Sequence, residues 1–364
     1  MERRRLSRRG FLAAAVPLPT TLAFEKGKTY PLEGIRYADP ATEFPVERFT
    51  DPAYSSYLPA PYARAIARKG LFFLFSCDRE GSLQAYRFEL KGGEIRQLTQ
   101  VEGLHPATLS LMPDDKSFAF VAGRSVYIST IGSLRERELY KIPEDWELGD
   151  GFSVSADGIF VALIEKQGTA KSRLQLIGVA KGNATTLVEY NGMLRHPIMR
   201  PKRASVLYHR DDVLHLINYD GANDKRIAKA TAAPGSAIWA PDGRTILYLQ
   251  TQEKDNGVFL HEIIPDSMQD RVITRTTTYG NFASNIDGSV LVAASRSVAQ
   301  PHVLIMIRTV KRELIVCEHK NSDPAAVAPI FSPTSQRIYF QSDRQGKPAI
   351  YTMVLEKFIE KTES

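Results

Sequence analysis

The chain has 364 residues, of which 24% are charged, and it carries a formal net charge of +6. Residues 1–23 hold five of its arginines and one glutamate, so 42 basic and 40 acidic residues remain beyond them and the net charge falls to +2. So small an excess argues against a nucleic-acid-binding protein, which needs a strongly basic face.

The first 23 residues are predicted to be a removable export signal. The stretch SRRGFL at 7–12 has the form of a twin-arginine motif, and an uncharged stretch follows it as far as Ala23. A basic start, a short apolar segment and small residues at its end are typical of a signal peptide; a disordered basic tail is the alternative. No later segment has the roughly 20 apolar residues that crossing a bilayer requires. We therefore expect a periplasmic or secreted protein without a membrane span, whose mature domain covers 24–364.

One pattern recurs along the mature chain: a turn, an apolar run, a gap and a second run. Successive turns are 45, 43, 45, 40, 45 and 47 residues apart. A period of about 40–50 residues with four short strands per unit is typical of a β-propeller. The sequence therefore predicts one all-β domain, a seven-bladed β-propeller. The turns centre on Gly70, Asp115, Gly158, Arg203, Gly243, Gly288 and Ser335, and the apolar runs lie at 71–75, 118–121, 159–163, 206–208, 246–249, 290–293 and 338–340.

The ends of the chain are predicted to meet in the last blade. The inner strands of a blade are covered on both faces by its neighbours, which explains runs that are apolar throughout instead of alternating. The seventh unit supplies only three strands before Leu355, and the segment Phe44–Thr50 can add the fourth. An N-terminal strand would then close the ring. Cys77 and Cys317 fall in blades one and six, so we expect two buried free thiols and no disulfide between them.

One residue per blade is predicted to face the mouth of the central channel. Each lies seven positions before a turn, at the start of the innermost strand. Concave, convergent places of this kind are the usual ligand sites of a fold. The predicted ring contains one imidazole, one amide and two hydroxyls, and it has no carboxylate. Its members are Ala63, Thr108, Gly151, His196, Ser236, Asn281 and Ala328.

Several motifs of the mature chain resemble those of the oligogalacturonate lyase family, from about Gly34 to Leu355. The order and distance of PEDW and HPIMRP are the most specific part of this resemblance, whereas the last motif is also similar to Tol-system propeller repeats. The resemblance implies a propeller that cleaves short pectin fragments by β-elimination. The motifs are PEDW ending at Trp146, HPIMRP at 196–201, WAPDGR at 239–244, SNIDGSVLV at 284–292 and SDRQGKPAIY at 342–351.

The chain departs from the family at the positions that carry the chemistry. The resemblance implies that a divalent metal, manganese-like, and an arginine neutralise the sugar carboxylate while a histidine removes the adjacent proton. Ser236 stands where the family has this base, Asn281 where it has a metal histidine, and 323–328 where it has two more histidines and a glutamine. The family's arginine falls on Val213. We therefore predict no metal ligands and no cofactor, and an impaired lyase, because a general base alone contributes roughly 10²–10⁴ in rate.

Some positions could still serve a site. His196 is the candidate catalytic residue, as a substitute base, although it could equally hydrogen-bond the turn before Pro197. An aromatic ring beside cations suits a uronate, since the ring stacks on the sugar and a guanidinium binds the carboxylate in a fork. His215 and His261, inside third strands, are expected to be structural. The candidate substrate-binding residues are Tyr62, Arg64, Arg200, Ser236 and Asn281.

Three functions remain open from the sequence. The first is a working or diverged lyase that acts on acidic oligosaccharides derived from pectin. The second is a non-catalytic periplasmic propeller that binds a sugar, a peptide or a protein at the channel mouth. The third is a scaffold that binds a protein partner through its outer rim, as Tol-system propellers do. On the chemistry we favour an impaired relative of the lyases.

Overall fold

The computed structural model describes residues 26–32, 34–231, 233–252, 254 and 256–355. The predicted export signal therefore lies outside the described residues. Strands dominate this part of the chain, and its two short 3-10 helices lie at Pro106–Thr108 and Pro324–Ala326. No helix within it is long and apolar enough to span a membrane.

The strands follow one another in groups that match the predicted units. Three of them, β1 (Thr29–Tyr30), β2 (Ile35–Ala38) and β3 (Pro45–Arg48), precede the first unit. The first three units contain β4 (Ser56–Tyr57), β5 (Phe72–Cys77), β6 (Gln84–Glu89), β7 (Ile95–Gln97), β8 (Ser110–Leu111), β9 (Ser117–Ala122), β10 (Ser125–Thr130), β11 (Glu136–Lys141), β12 (Glu147–Val154), β13 (Phe160–Gln167), β14 (Lys171–Gly178) and β15 (Ala184–Tyr190). The other units contain β16 (Leu194–Met199), β17 (Ser205–Arg210), β18 (Val213–Asn218), β19 (Lys225–Lys229), β20 (Ala237–Trp239), β21 (Ile246–Thr251), β22 (Val258–Ile264), β23 (Gln269–Arg275), β24 (Tyr279–Ser284), β25 (Val290–Ser295), β26 (His302–Ile307), β27 (Arg312–Glu318), β28 (Ile330–Phe331), β29 (Arg337–Ser342) and β30 (Ala349–Val354).

The strands of each unit pair as an antiparallel sheet. The described strands form six hydrogen-bonded sheets, and the eight-stranded one consists of two four-stranded halves, β12–β15 and β16–β19. In this part of the chain the two halves are joined by one parallel pair, Asp150 with Arg195. We therefore interpret the sheets as seven blades. Their innermost strands are β4, β8, β12, β16, β20, β24 and β28.

Hydrophobic clusters fill the space between consecutive blades. Leu74 of β5 and Phe120 of β9, for example, belong to the cluster between the first two blades. The cluster that contains Phe73 and Tyr339 joins the last blade to the first, so the ring is closed. Every residue of β5 and of β25 is buried. The predicted apolar runs fall on the second strands of the units, which agrees with strands that are covered on both faces.

The chain ends meet as the sequence predicts. Strand β3 pairs antiparallel with β30, with Glu47 opposite Thr352, so the predicted N-terminal strand of the last blade is confirmed. Strand β2 pairs with β3 on the outer side and gives this blade a fifth strand. Strand β1 pairs with β7 at the outer edge of the first blade. The N-terminal segment therefore contributes to both blades at the ring closure.

The expected structural residues occupy structural positions. Cys77 and Cys317 are buried free thiols, as predicted. In the fourth blade, the hydroxyl of Tyr208 donates to Oδ1 of Asp224 at 2.7 Å, and Nδ1 of His215 lies 3.2 Å from the same oxygen. These contacts join β17 and β18 to the residue that directly precedes β19 and hold the blade together. The fifth blade repeats the arrangement with Tyr248, His261 and Asp270.

We expect Val46→Asp to open the last blade. Val46 is fully buried in the closing strand β3, so a carboxylate there loses its hydration without gaining a partner. The free energy of unfolding, measured by urea denaturation, should fall by about 4 kcal/mol or more. Ile35→Asp in the neighbouring strand β2 is the control, because Ile35 is 54% exposed. Equal effects of the two substitutions would contradict closure through β3.

Candidate functional site

A cavity of about 720 Å³ lies where the innermost strands begin. Tyr62, from the loop after β4, is part of its wall. The loops before β8, β20 and β28 and the strands β12, β16 and β24 also contribute, so residues far apart in the chain meet at this opening. Of the seven residues predicted to face the channel mouth, Ala63 and Ser236 do not line this cavity. The five that do are Thr108, Gly151, His196, Asn281 and Ala328.

His196 enters the cavity wall on a distorted strand. Its φ is +50°, and the pairing of β16 with β17 shifts register between Arg195 and Ile198. Such a bulge changes the direction of a side chain, and bulges are frequent near active sites. The imidazole is 8% exposed, with its ring centroid 6.2 Å from that of Tyr62 and 5.7 Å from that of His209. The candidate base therefore lies between an aromatic ring of the cavity and a buried histidine.

Gly151 makes room for this distorted strand. Its φ is +138°, and a Cβ there would lie 2.2 Å from Cδ of Pro197 and 3.0 Å from the backbone nitrogen of His196. Only a residue without a side chain fits both the backbone conformation and the close approach. Gly151 therefore contributes space, not chemistry, to the predicted ring.

Tyr62 lines the cavity from the loop after β4. Its ring also packs against the cluster between the fourth and fifth blades. Burial, and then the charge of Asp150, raise the pKa of Tyr62, while a backbone hydrogen bond with Phe152 acts in the opposite direction. The phenol is therefore neutral near pH 7 and can offer a hydrogen-bond donor and an aromatic face to a sugar.

Ser236 and Asn281 use their polar atoms within the protein. The Ser236 hydroxyl donates to the carbonyls of Thr231 and Ala233. Asn281 lines the cavity, but its Oδ1 accepts from Gly235 N at 2.8 Å. The Asn281 amide donates to two carbonyls in the loop before the last blade: Ala325 at 2.7 Å and Val327 at 3.0 Å. Asn281 therefore ties three blades together at this end of the ring.

Arg64 and Arg200 do not line the cavity. Arg64 donates to the carbonyl of Met112 at 2.6 Å and forms an ion pair with Asp115. These contacts hold the first blade to the second. The structure does not place Arg64 at the same opening as Tyr62, because the guanidinium contacts Met112 and Asp115 of the second blade.

Arg200 has the structural role that the sequence left open. Its Nε donates to the carbonyl of Gly243 at 2.8 Å, and its guanidinium lies 4.8 Å from the ring of Trp239. Asp266 of the next blade is 3.3 Å away. The guanidinium is thus used in holding two blades together.

Arg195 and His105 are among the cavity residues that were absent from the sequence-based candidates. Arg195 lines the cavity beside His196, and its Nε lies 3.5 Å from Oδ2 of Asp150. His105 also lines it, with Nε2 3.2 Å from the carbonyl of Gly123. One signal could have found His105: like His196, it directly precedes a proline close to the mouth of its blade. The only sequence signal for Arg195 is that it directly precedes the candidate His196.

Comparison with known proteins confirms the family resemblance. A family model described as oligogalacturonate lyase matches residues 24–169, and one described as TolB beta propeller domain matches residues 204–359. The oligogalacturonide lyase of Pectobacterium atrosepticum and the oligogalacturonate lyase of Dickeya dadantii are each 24% identical to the chain, over 90% of this chain and 97% of the relative. The chain is thus similar to these lyases along nearly its whole length.

Solved structures agree with the sequence matches. A structure titled oligogalacturonate lyase in complex with manganese has a TM-score of 0.85 and 25% identity, covering 90% of this chain and 98% of that one. An oligogalacturonate lyase from Vibrio parahaemolyticus also has a TM-score of 0.85, with 21% identity, covering 92% and 100%. The all-β propeller predicted from the sequence is thereby confirmed.

The described side chains of this chain offer no site for a manganese ion such as the one in the related lyase structure. No group of three or more His, Cys, Asp or Glu side chains that could hold a metal ion occurs among them. The side-chain oxygen of Asn281 already accepts a hydrogen bond from Gly235 N. The carboxylate of Asp323 accepts from Ala325 N at 3.1 Å, as the cap of a short helix. A divalent ion needs several such oxygen or imidazole donors in one place.

We expect Asn281→Leu to destabilise the fold. The substitution leaves the backbone groups of Gly235, Ala325 and Val327 without their side-chain partner, and each unsatisfied buried group costs about 1–3 kcal/mol. Thermal or urea unfolding should show a loss of at least about 2 kcal/mol. The exposed Asn183→Leu is the control. A loss no larger than the control's would show that the amide does not hold the blades.

Stability should fall as the pH is lowered from 7 to 5. Burial, with the nearby His196, lowers the pKa of His209 to about 3, and burial lowers the pKa of His319 to about 4. The unfolded chain binds protons at both histidines below its ordinary pKa of about 6.5, whereas the folded state does not. The free energy of unfolding therefore decreases with falling pH, by at most about 1.4 kcal/mol per pH unit for each histidine. Urea titrations at several pH values measure this slope, and His209→Gln should make it flatter.

Proposed function

Because the chain resembles the oligogalacturonate lyases over 90% of its length, we propose that its central cavity binds short acidic oligosaccharides derived from pectin. The observation that carries this proposal is the position of Arg195 in a cavity whose wall also contains Tyr62, His105 and His196. A cation, an aromatic face and two imidazoles in a concave site of about 720 Å³ suit a uronate sugar. The predicted twin-arginine signal would bring the protein to the periplasm, where such fragments could reach it.

Each of these side chains has a defined task in the proposed complex. Arg195 contacts Asp150 through Nε, so the Nη edge of its guanidinium can take the sugar carboxylate with two parallel hydrogen bonds. The neutral Tyr62 can stack against a sugar ring or donate to one of its hydroxyls. His105 and His196 can hydrogen-bond further hydroxyls. These contacts position a ligand without a chemical step.

The same geometry argues against fast β-elimination. The reaction needs a base beside the proton to be removed, and masking of the carboxylate charge so that the proton becomes acidic. Ser236 lies outside the cavity lining and Asn281 has its amide bonded to backbone. Loss of a general base alone costs roughly 10²–10⁴ in rate. We therefore infer a lyase-like propeller that binds the oligosaccharide but does not cleave it efficiently.

A slow elimination with His196 as the base is the second candidate function. It is favoured by the position of this imidazole in the cavity wall, beside Tyr62 and one residue from Arg195. A carboxylate held by Arg195 would bring the sugar close to His196, which could accept the proton from the carbon beside that carboxylate. The released electron pair forms the carbon–carbon double bond as the bond to the 4-linked sugar breaks, and that sugar leaves with a proton from water. Binding and elimination would use the same site, so they differ only in whether an unsaturated product forms.

The binding proposal predicts that Arg195→Gln weakens the affinity for trigalacturonate by about 10–100-fold. The loss corresponds to one charge-assisted hydrogen-bonding group, about 1.5–3 kcal/mol. Isothermal titration calorimetry of residues 24–364 measures it. Arg244→Gln is the control, since its side chain is 82% exposed at a turn. Absence of any binding by the unsubstituted protein would reject the proposal.

An assay on the same samples separates the two candidate functions. Trigalacturonate is incubated with the protein, with and without added manganese, and the ultraviolet absorbance of unsaturated uronate is followed. Product that disappears in His196→Ala supports slow elimination with this base. Product formed at the rate of an efficient, manganese-dependent enzyme would contradict the inferred impairment.

A further inference from the structure

The junction of the third and fourth blades carries an ion pair at the edge of the cavity. Asp150 of β12 and Arg195 of β16 face each other in the parallel pair that joins the two halves of the eight-stranded sheet. Both residues line the cavity. Among its described lining residues they are the one carboxylate and the one arginine or lysine. The charge of the cavity therefore depends on this pair and on the two histidines.

The backbone on both sides of the pair is built to hold it there. The pairing of β12 with β13 shifts register between Leu148 and Phe152, and that of β16 with β17 shifts just after Arg195. The next residue in each strand, Gly151 or His196, has a positive φ. Two facing bulges with unusual backbone conformations are costly and persist where the surrounding structure determines them. Their effect is to turn Asp150 and Arg195 toward the opening.

The pair is loose enough for a ligand to compete with it. Nε of Arg195 lies 3.5 Å from Oδ2 of Asp150, and the side chains are 32% and 53% exposed. An exposed ion pair of this length contributes little stability, about 0–1 kcal/mol. The charge of Asp150 is nevertheless felt in the cavity, since it helps to raise the pKa of Tyr62. A second carboxylate entering the cavity would meet the same repulsion.

We propose that Asp150 is a specificity-determining residue that competes with ligand carboxylates for Arg195 and limits how many of them the cavity accepts. The inference rests on the proposed binding of acidic oligosaccharides. The charge of Asp150 cancels that of Arg195, so the cavity has one guanidinium and no surplus positive charge from this pair. It therefore suits an oligosaccharide with one free carboxylate among neutral units, such as a partly methyl-esterified fragment. A fully acidic fragment of the same length brings more negative charge than Arg195 can balance.

The test compares three trisaccharides of one length: trigalacturonate, its ester with one free carboxylate, and its fully esterified, neutral form. Calorimetry of the unsubstituted protein should show the tightest binding for the ester with one carboxylate. Asp150→Asn should leave the neutral ligand unchanged, strengthen the singly charged ligand a few-fold and strengthen trigalacturonate by about tenfold, and the gain should shrink in high salt. Asp242→Asn is the control, because Asp242 has the same 53% exposure at a distant turn. If the side-chain amide introduced by Asp150→Asn alters the fold, the same measurements are made on Asp150→Ser.

The outcomes distinguish this inference from the binding proposal. If the unsubstituted protein binds acidic fragments and Asp150→Asn changes all three affinities equally, or weakens binding of trigalacturonate, the role of Asp150 is overturned while the binding proposal stands. If neither protein binds any acidic fragment, both are overturned. If the unsubstituted protein binds trigalacturonate and the Asp150→Asn protein binds it about tenfold more tightly, both are supported.

Discussion

The contact between the first and last blades is the constraint on which the rest of the structure depends. A propeller blade has two apolar faces, and each must be covered by a neighbour, so the two blades at the ends of the chain have to meet. Phe49, which follows the closing strand, stacks on Phe88 with 4.7 Å between ring centroids. Phe73 of the first blade lies 5.5 Å from Tyr339 of the last. This aromatic contact, together with the pairing of β3 and β30, holds the ring that brings seven innermost strands to one opening.

Polar contacts within the protein hold the loops and strands around this opening in place. Asn281 links the loops of three blades through its amide, and Ser236 closes the turn before β20. A buried polar group that is fully hydrogen-bonded stabilises one arrangement, because any change leaves a donor or acceptor unpaired. At positions where relatives of this chain carry reactive or metal-binding side chains, as the family resemblance implies, these residues instead stabilise the ring. Around these contacts Tyr62, His105, Arg195 and His196 line the cavity, and the proposed binding of an acidic sugar depends on these four side chains.

The sequence predicted much of the fold because its signals are local and repeated. The apolar runs mark strands buried on both faces, and the turn spacing marks the repeating unit. The closing strand could be predicted because the last unit lacks one strand and only the N-terminal segment is left to supply it. The positions at the channel mouth followed from the repeat, and five of seven line the cavity. Tyr62, a candidate from the family resemblance, also lines the cavity, whereas Arg64, two residues further on, contacts the second blade.

The sequence alone determined the class of fold and the closure of the ring, since residue types and their spacing suffice for these. It also predicts that Ser236 and Asn281 do not replace the base and the metal ligand that the family resemblance implies. Tertiary structure decided which charges reach the cavity. Arg64 and Arg200 were bound by Asp115 and Asp266 of adjacent blades, and such partners are far away in the chain. Arg195 and Asp150 were brought together by bulges in two strands. A bulge depends on how neighbouring blades pack, and no local pattern of residues reveals it.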